Sequence, residues 1–142
     1  MHRESRHEEC RLRHRMSLQH DLEHAHHEVE AAFALLEQAT PEELRAYPVD
    51  RIERARRLLE QHFTDEELHL FPKFVARAPE QVKRLLEEHD LILRALSGLR
   101  ELAARGALSR SAVAEVGSLL VSHRWREERM LKTVVASETR ST

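Results

Sequence analysis

Glycine and proline are scarce in this chain, three and four of 142 residues, and aromatic side chains make up only 4%. Sheets favour aromatic and β-branched residues, so the shortage argues against strands and for an all-α domain. Cys10 is the single cysteine, which excludes an internal disulfide and fits a reducing compartment. No apolar run approaches membrane-spanning length, and the start is too charged for a signal peptide, so the expected location is cytoplasmic. An excess of charge of either sign is also missing: the formal net charge is −2, with the signs interspersed. Without a basic stripe, nucleic acid is not an expected partner. The arginines of the first fifteen residues are diluted by Glu4, Glu8 and Glu9, and residues 1–16 read as a solvated lead-in.

What is present is helical periodicity, four times over. A first helix is expected from about Ser17 to Gln38, with Leu18, Leu22, Ala25, Val29, Phe33 and Leu36 on its apolar stripe. Thr40-Pro41-Glu42-Glu43 is a start signal for a short turn or helix, and Tyr47-Pro48 forces an extended step. The second helix carries Ile52, Ala55, Leu59, Phe63 and Leu70, and Pro72 should end or kink it. Ala78-Pro79-Glu80 opens the third, which carries Val82, Leu85, Ile92, Leu96 and Leu99 until Gly106 stops it. Ser109 caps the fourth, with Val113, Val116, Leu120, Met130 and Val134 inside. The steps alternate between three and four residues, and the connections are short. Together they predict one up-down-up-down antiparallel four-helix bundle over residues 17–138, with a tail at 139–142.

The stripes have gaps, and the gaps are filled by the wrong chemistry for a core. His62 and Glu66 stand between Leu59 and Leu70; His123 and Glu127 stand between Leu120 and Met130. His89 stands between Leu85 and Ile92, and His26 falls between Leu22 and Val29, somewhat off the stripe centre but inward. Any one inward histidine is accounted for by a hydrogen bond to a neighbour. Four of them with two carboxylates are not, because burial costs on the order of several kcal/mol per unpaired charge. A bound metal compensates all six at once. His20, His24 and His27 share the outward face of the first helix, and His69 lies on the flank of the second. Trp125 also points outward, where it could serve a homodimer or a protein partner.

Imidazole and carboxylate donors without thiolate favour iron, manganese or zinc. Glu66 and Glu127 are placed to bridge two ions. Four imidazoles, two bridging carboxylates and a solvent-derived oxo or hydroxo bridge fill about ten of roughly twelve octahedral positions. About one position per metal is then open to a small ligand.

The segment His62-Phe-Thr-Asp-Glu66-Glu67-Leu-His-Leu-Phe-Pro72 resembles the second-helix signature of hemerythrin-like (HHE cation-binding) domains. The stretch His123-Arg-Trp-Arg-Glu127-Glu128 repeats it without the Phe-Pro ending, and the surroundings of His89 and His26 are similar to that family's single-histidine helices. The resemblance covers nearly the whole chain after residue 17. It implies a four-helix bundle around a di-iron centre that meets O₂, peroxide or nitric oxide. His26, His62, His89 and His123 would be terminal ligands, with Glu66 and Glu127 bridging. The chain departs from oxygen-carrying hemerythrins at Leu93, where those have another histidine, and at Glu127, where they have aspartate at a longer spacing. The expected function is therefore a di-iron module for oxygen, redox or iron sensing, of the bacterial type. A peroxide-handling enzyme is the first alternative, and a metal-free interaction module the second.

Overall fold

The computed structural model describes residues 26–140, with side chains through Val134. Leu18, Leu22, Ala25, His20, His24 and Cys10 lie outside the described residues. Helix α1 covers 26–37 within them, followed by α2 (Pro41–Arg45), α3 (Val49–Asp65), α4 (Pro79–Ala104) and α5 (Arg110–Arg140). No strand occurs among the described residues. The long helices α1, α3, α4 and α5 form an all-α bundle in which α4 packs against both α3 and α5.

Helix ends are set locally. At α2, Thr40 Oγ1 accepts from the Glu43 amide at 3.1 Å while the Thr40 amide donates to Glu43 Oε1 at 3.0 Å. This reciprocal box satisfies two otherwise orphaned donors, and Leu44 anchors the short helix in the core. Pro48, extended at φ −66° and ψ 128°, starts α3, and Pro79 starts α4. Gly106 ends α4 at φ +66°, which lets the Ala107 amide reach back to the Leu102 carbonyl at 2.8 Å. Ser109 Oγ accepts from the Ala112 amide at 3.2 Å and caps α5.

The second stripe departs from its sequence reading. Regular α-helix stops at Asp65, seven residues before Pro72, and Glu66–Leu70 form a wider π-helical turn. There the Phe71 amide donates to the Glu66 carbonyl, five residues back rather than four. Pro72 cannot donate a backbone bond, and the chain tightens into a 3₁₀ turn over Phe71–Lys73. The wide turn adds one residue to the repeat. Phe71 therefore takes the buried place beyond Glu66 that four-residue spacing assigns to Leu70, which is left half-buried. Ala55 is likewise only half-buried.

Two apolar clusters fill the bundle. The larger holds Val29, Phe33, Leu59, Phe63, Ile92, Leu96, Val116 and Leu120 among others; the smaller holds Phe71, Ala78, Val82, Leu85, Met130 and Val134. Along α4 the boundary between them falls at His89, and along α5 at His123 and Glu127. Polar side chains thus form a layer between two oily ends. Arg124 ties α5 to α1 beside this layer, with Nε 2.7 Å from Glu30 Oε2. Farther along, Arg100 ties α4 to α3 through Glu53 at 3.0 Å.

Candidate metal centre

Six polar or charged side chains are buried among the described residues: His26, His62, Glu66, His89, His123 and Glu127. They are the six that interrupt the apolar stripes. Helix α3 and the wide turn that continues it contribute His62 and Glu66, and α5 contributes His123 and Glu127; each pair is four residues apart, so both members point the same way. Helices α1 and α4 contribute one histidine each.

The side chains gather around the two carboxylates. His62 Nε2 lies 3.1 Å and His89 Nε2 3.4 Å from Glu66 Oε1. His123 Nε2 lies 3.5 Å and His26 Nε2 3.6 Å from Glu127 Oε2. The two sets meet, because one donor atom each from His26, Glu66, His123 and Glu127 fall within 4.8 Å of one another. Donors bound about 2.1 Å from one ion stand roughly 3.0–3.4 Å apart, depending on the angle between them. The four histidine–glutamate separations, 3.1 to 3.6 Å, are close to that range.

Hydrogen bonding within the protein does not explain the arrangement. Both ring nitrogens of His26, His62 and His89, both oxygens of Glu66, Nε2 of His123 and Oε2 of Glu127 have no hydrogen-bond partner in the chain. So many buried orphan donors and acceptors in one layer is a costly way to build a core. A cation among them satisfies the ring lone pairs and the carboxylates together, so the residues fit a metal.

The electrostatics agree. Burial, with the neighbouring His26 and His123 rings acting in the same direction, pulls His62 down to about 3, and burial with His123 beside it pulls His89 down to about 2. Both rings are therefore neutral at ordinary pH, the form that binds metal. Burial, aided by the facing Glu127, pushes Glu66 well above the usual carboxylate range. Burial works against ionisation at Glu127 as well, but Glu66, His123 and His26 outweigh it and hold that carboxyl well down. Opposite shifts in facing carboxyls follow when two like charges cannot both be afforded without a cation.

A surrounding shell orients two of the rings. Burial opposes ionisation of Glu88, yet Arg126 and His123 hold its pKa below the ordinary value, so it stays an acceptor. His123 Nδ1 therefore donates to Glu88 Oε1 at 3.2 Å, which leaves the Nε2 lone pair facing inward. Arg126 pairs with the other Glu88 oxygen. Phe63 stacks on His89 at 3.8 Å between ring centroids and 10° between planes; Phe71 lies near the same ring at 5.3 Å and 22°. Glu67 Oε1 stands 3.7 Å from His89 Nδ1.

Sequence reasoning missed Glu88, Arg126 and Phe71. The available signal for Glu88 was its place beside His89, about 100° around the helix from the inward face. His27 and His69 are exposed, and Leu93 packs against the larger apolar cluster. None of the three joins the polar layer. No described helix is long and apolar enough to cross a membrane.

No curated protein and no solved structure matches the chain at significant similarity. The sequence model of the Hemerythrin HHE cation binding domain does, over residues 17–135. A match of that length, over a bundle whose buried polar layer is made of histidine and glutamate, shows that the chain belongs to the hemerythrin HHE cation-binding domain family.

Proposed function

We propose that this cation-binding chain holds two iron ions in the polar layer and responds there to O₂, peroxide or nitric oxide. It would act as an oxygen-, redox- or iron-sensing module of the cytoplasm. The observation that carries the reading is the pairing of two histidines with each buried glutamate, the two sets meeting at their carboxylates. His62 and His89 would hold one ion with Glu66, and His26 and His123 the other with Glu127, each carboxylate free to bridge. Bound iron supplies a ferrous–ferric couple and room for a small ligand.

The protein's own contribution is orientation and dryness. Glu88 fixes which His123 nitrogen carries the proton, and the aromatic faces of Phe63 and Phe71 hold the His89 ring. Imidazole and carboxylate donors also accept manganese and zinc, so metal identity is the first thing to measure.

The test is metal content after iron-supplemented expression, with ultraviolet–visible spectra in air and after dithionite. About two irons per chain, with near-ultraviolet absorption that bleaches on reduction, is the expected result. Two zincs would keep the site and remove the redox role. Fewer than about 0.2 metals per chain, with melting unchanged by added Fe²⁺, would overturn the reading. Steady peroxide turnover that disappears in His89→Ala would favour the enzyme over the sensor.

A further inference from the structure

A second concavity lies outside the polar layer, between the start of α4 and the later part of α5, with a volume of about 470 Å³. That is within the roughly 300–1,000 Å³ of small-molecule sites. Its floor is apolar and buried: Ala78, Leu85, Met130 and Val134. Its rim is cationic, formed by Arg77, Arg84, Arg126 and Arg129, and among the described residues no acidic side chain lines it. In a chain of net charge −2, four guanidinium groups around one oily cavity are a local excess that overall composition does not account for.

Arg84, Arg126 and Arg129 also have capacity to spare. Arg84 and Arg129 make no ion pair among the described residues. Arg126 gives one nitrogen to Glu88, but its Nε is buried and has no hydrogen-bond partner. A buried guanidinium N–H without an acceptor is a costly feature that an anion would relieve. Trp125 closes one side, with the Arg129 guanidinium 5.2 Å from its ring centroid and more than half of the residue exposed.

We infer that this cavity binds a small amphipathic organic anion, a medium-chain or aromatic monocarboxylate. Its head group would sit on the arginine forks and its body on Leu85, Met130 and Val134. Arg forks recognise the carboxylate, the apolar floor recognises the tail, and neither half alone fits the site. The inference does not depend on which ion occupies the polar layer.

Trp125 is the only tryptophan, so its fluorescence reports on the cavity directly. Octanoate titrated into the full chain should change that emission saturably. 1-Octanol should bind at least about tenfold more weakly, and inorganic phosphate should give no saturable response. Arg84→Glu, at an exposed position, and the double variant Arg84→Glu/Arg129→Glu should weaken octanoate by about tenfold or more with unchanged helical content. The single variant decides the matter if the double variant does not fold. Equal binding of octanol, or a full response to phosphate alone, overturns the inference. So does octanoate binding that the variants leave intact. Emission that depends on protein concentration while octanoate has no effect would assign the face to a second copy instead. Co-sedimentation with phosphatidylglycerol vesicles without octanoate binding would assign it to a lipid surface.

Discussion

Glu66 has no exposed surface, and neither of its oxygens has a hydrogen-bond partner in the protein. A side chain chosen for stability would not look like this, because a leucine of similar size fills the space without the desolvation penalty. Glu66→Leu is therefore expected to stabilise the metal-free chain by about 1–4 kcal/mol while abolishing the rise in melting temperature on adding Fe²⁺. Calorimetry of both proteins with and without chelator checks it. A metal-free variant that melts below wild type would mean that protein contacts hold Glu66. The inward position of this residue was legible because it breaks a stripe of otherwise apolar side chains. Glu88 was not: charged residues about 100° around a helix from its apolar stripe usually face water. Only the approach of α5 gives this one a partner in His123.

Among the elements, the turn at Glu66–Leu70 does most to shape the centre. Widening the helix by one residue brings Phe71 rather than Leu70 into the interior, and Phe71 then lies close to the His89 ring. Pro72 signalled in the sequence that the helix had to end, but not that it would widen first; that depends on which side chain fits against α4. Helix starts and stops were far more legible, since Thr40, Pro79, Gly106 and Ser109 act through bonds only a few residues long. Gly106 offers a test at the opposite end of α4 from the candidate ligands. A Cβ there would meet only the Arg45 carbonyl at 3.7 Å, an ordinary contact, so the penalty in Gly106→Ala is that of the φ +66° backbone alone. The expected loss is about 1–2 kcal/mol by denaturant unfolding, with metal content unchanged. His89 is roughly 22 Å away along the helix, so a loss of metal would show that the two ends are coupled.

At the scale of the whole molecule, the polar layer makes the metal-free bundle a compromise between opposing protonation demands. His62 and His89, with folded pKa values of about 3 and about 2, bind fewer protons folded than unfolded below their ordinary 6.5. Their contribution is present above pH 6.5 and is lost as the pH falls. Glu66 is the reverse: its folded pKa is raised well above 4.5, so its contribution is lost as the pH rises beyond that value. Two histidines outweigh one carboxyl between these limits, and only the carboxyl remains above them. The metal-free melting temperature should therefore peak near pH 6.5 and decline on both sides. Circular dichroism melts from pH 4 to 9 in chelator would show it, and a curve still rising at pH 9 would contradict a proton-holding Glu66. Fold class and bundle order were legible because periodicity is a property of each helix separately. The arginine-rimmed cavity was not, because its charges come from two helices and the turn between α3 and α4.

One imidazole comes from each of the four long helices, so no three of them can assemble the layer. A newly made chain that finds no cation keeps a strained middle, and its helices separate more often. Proteases cut chains in proportion to such openings. The half-life of this protein in a cell is then expected to lengthen with cation supply, which a pulse-chase with and without a cell-permeant chelator checks.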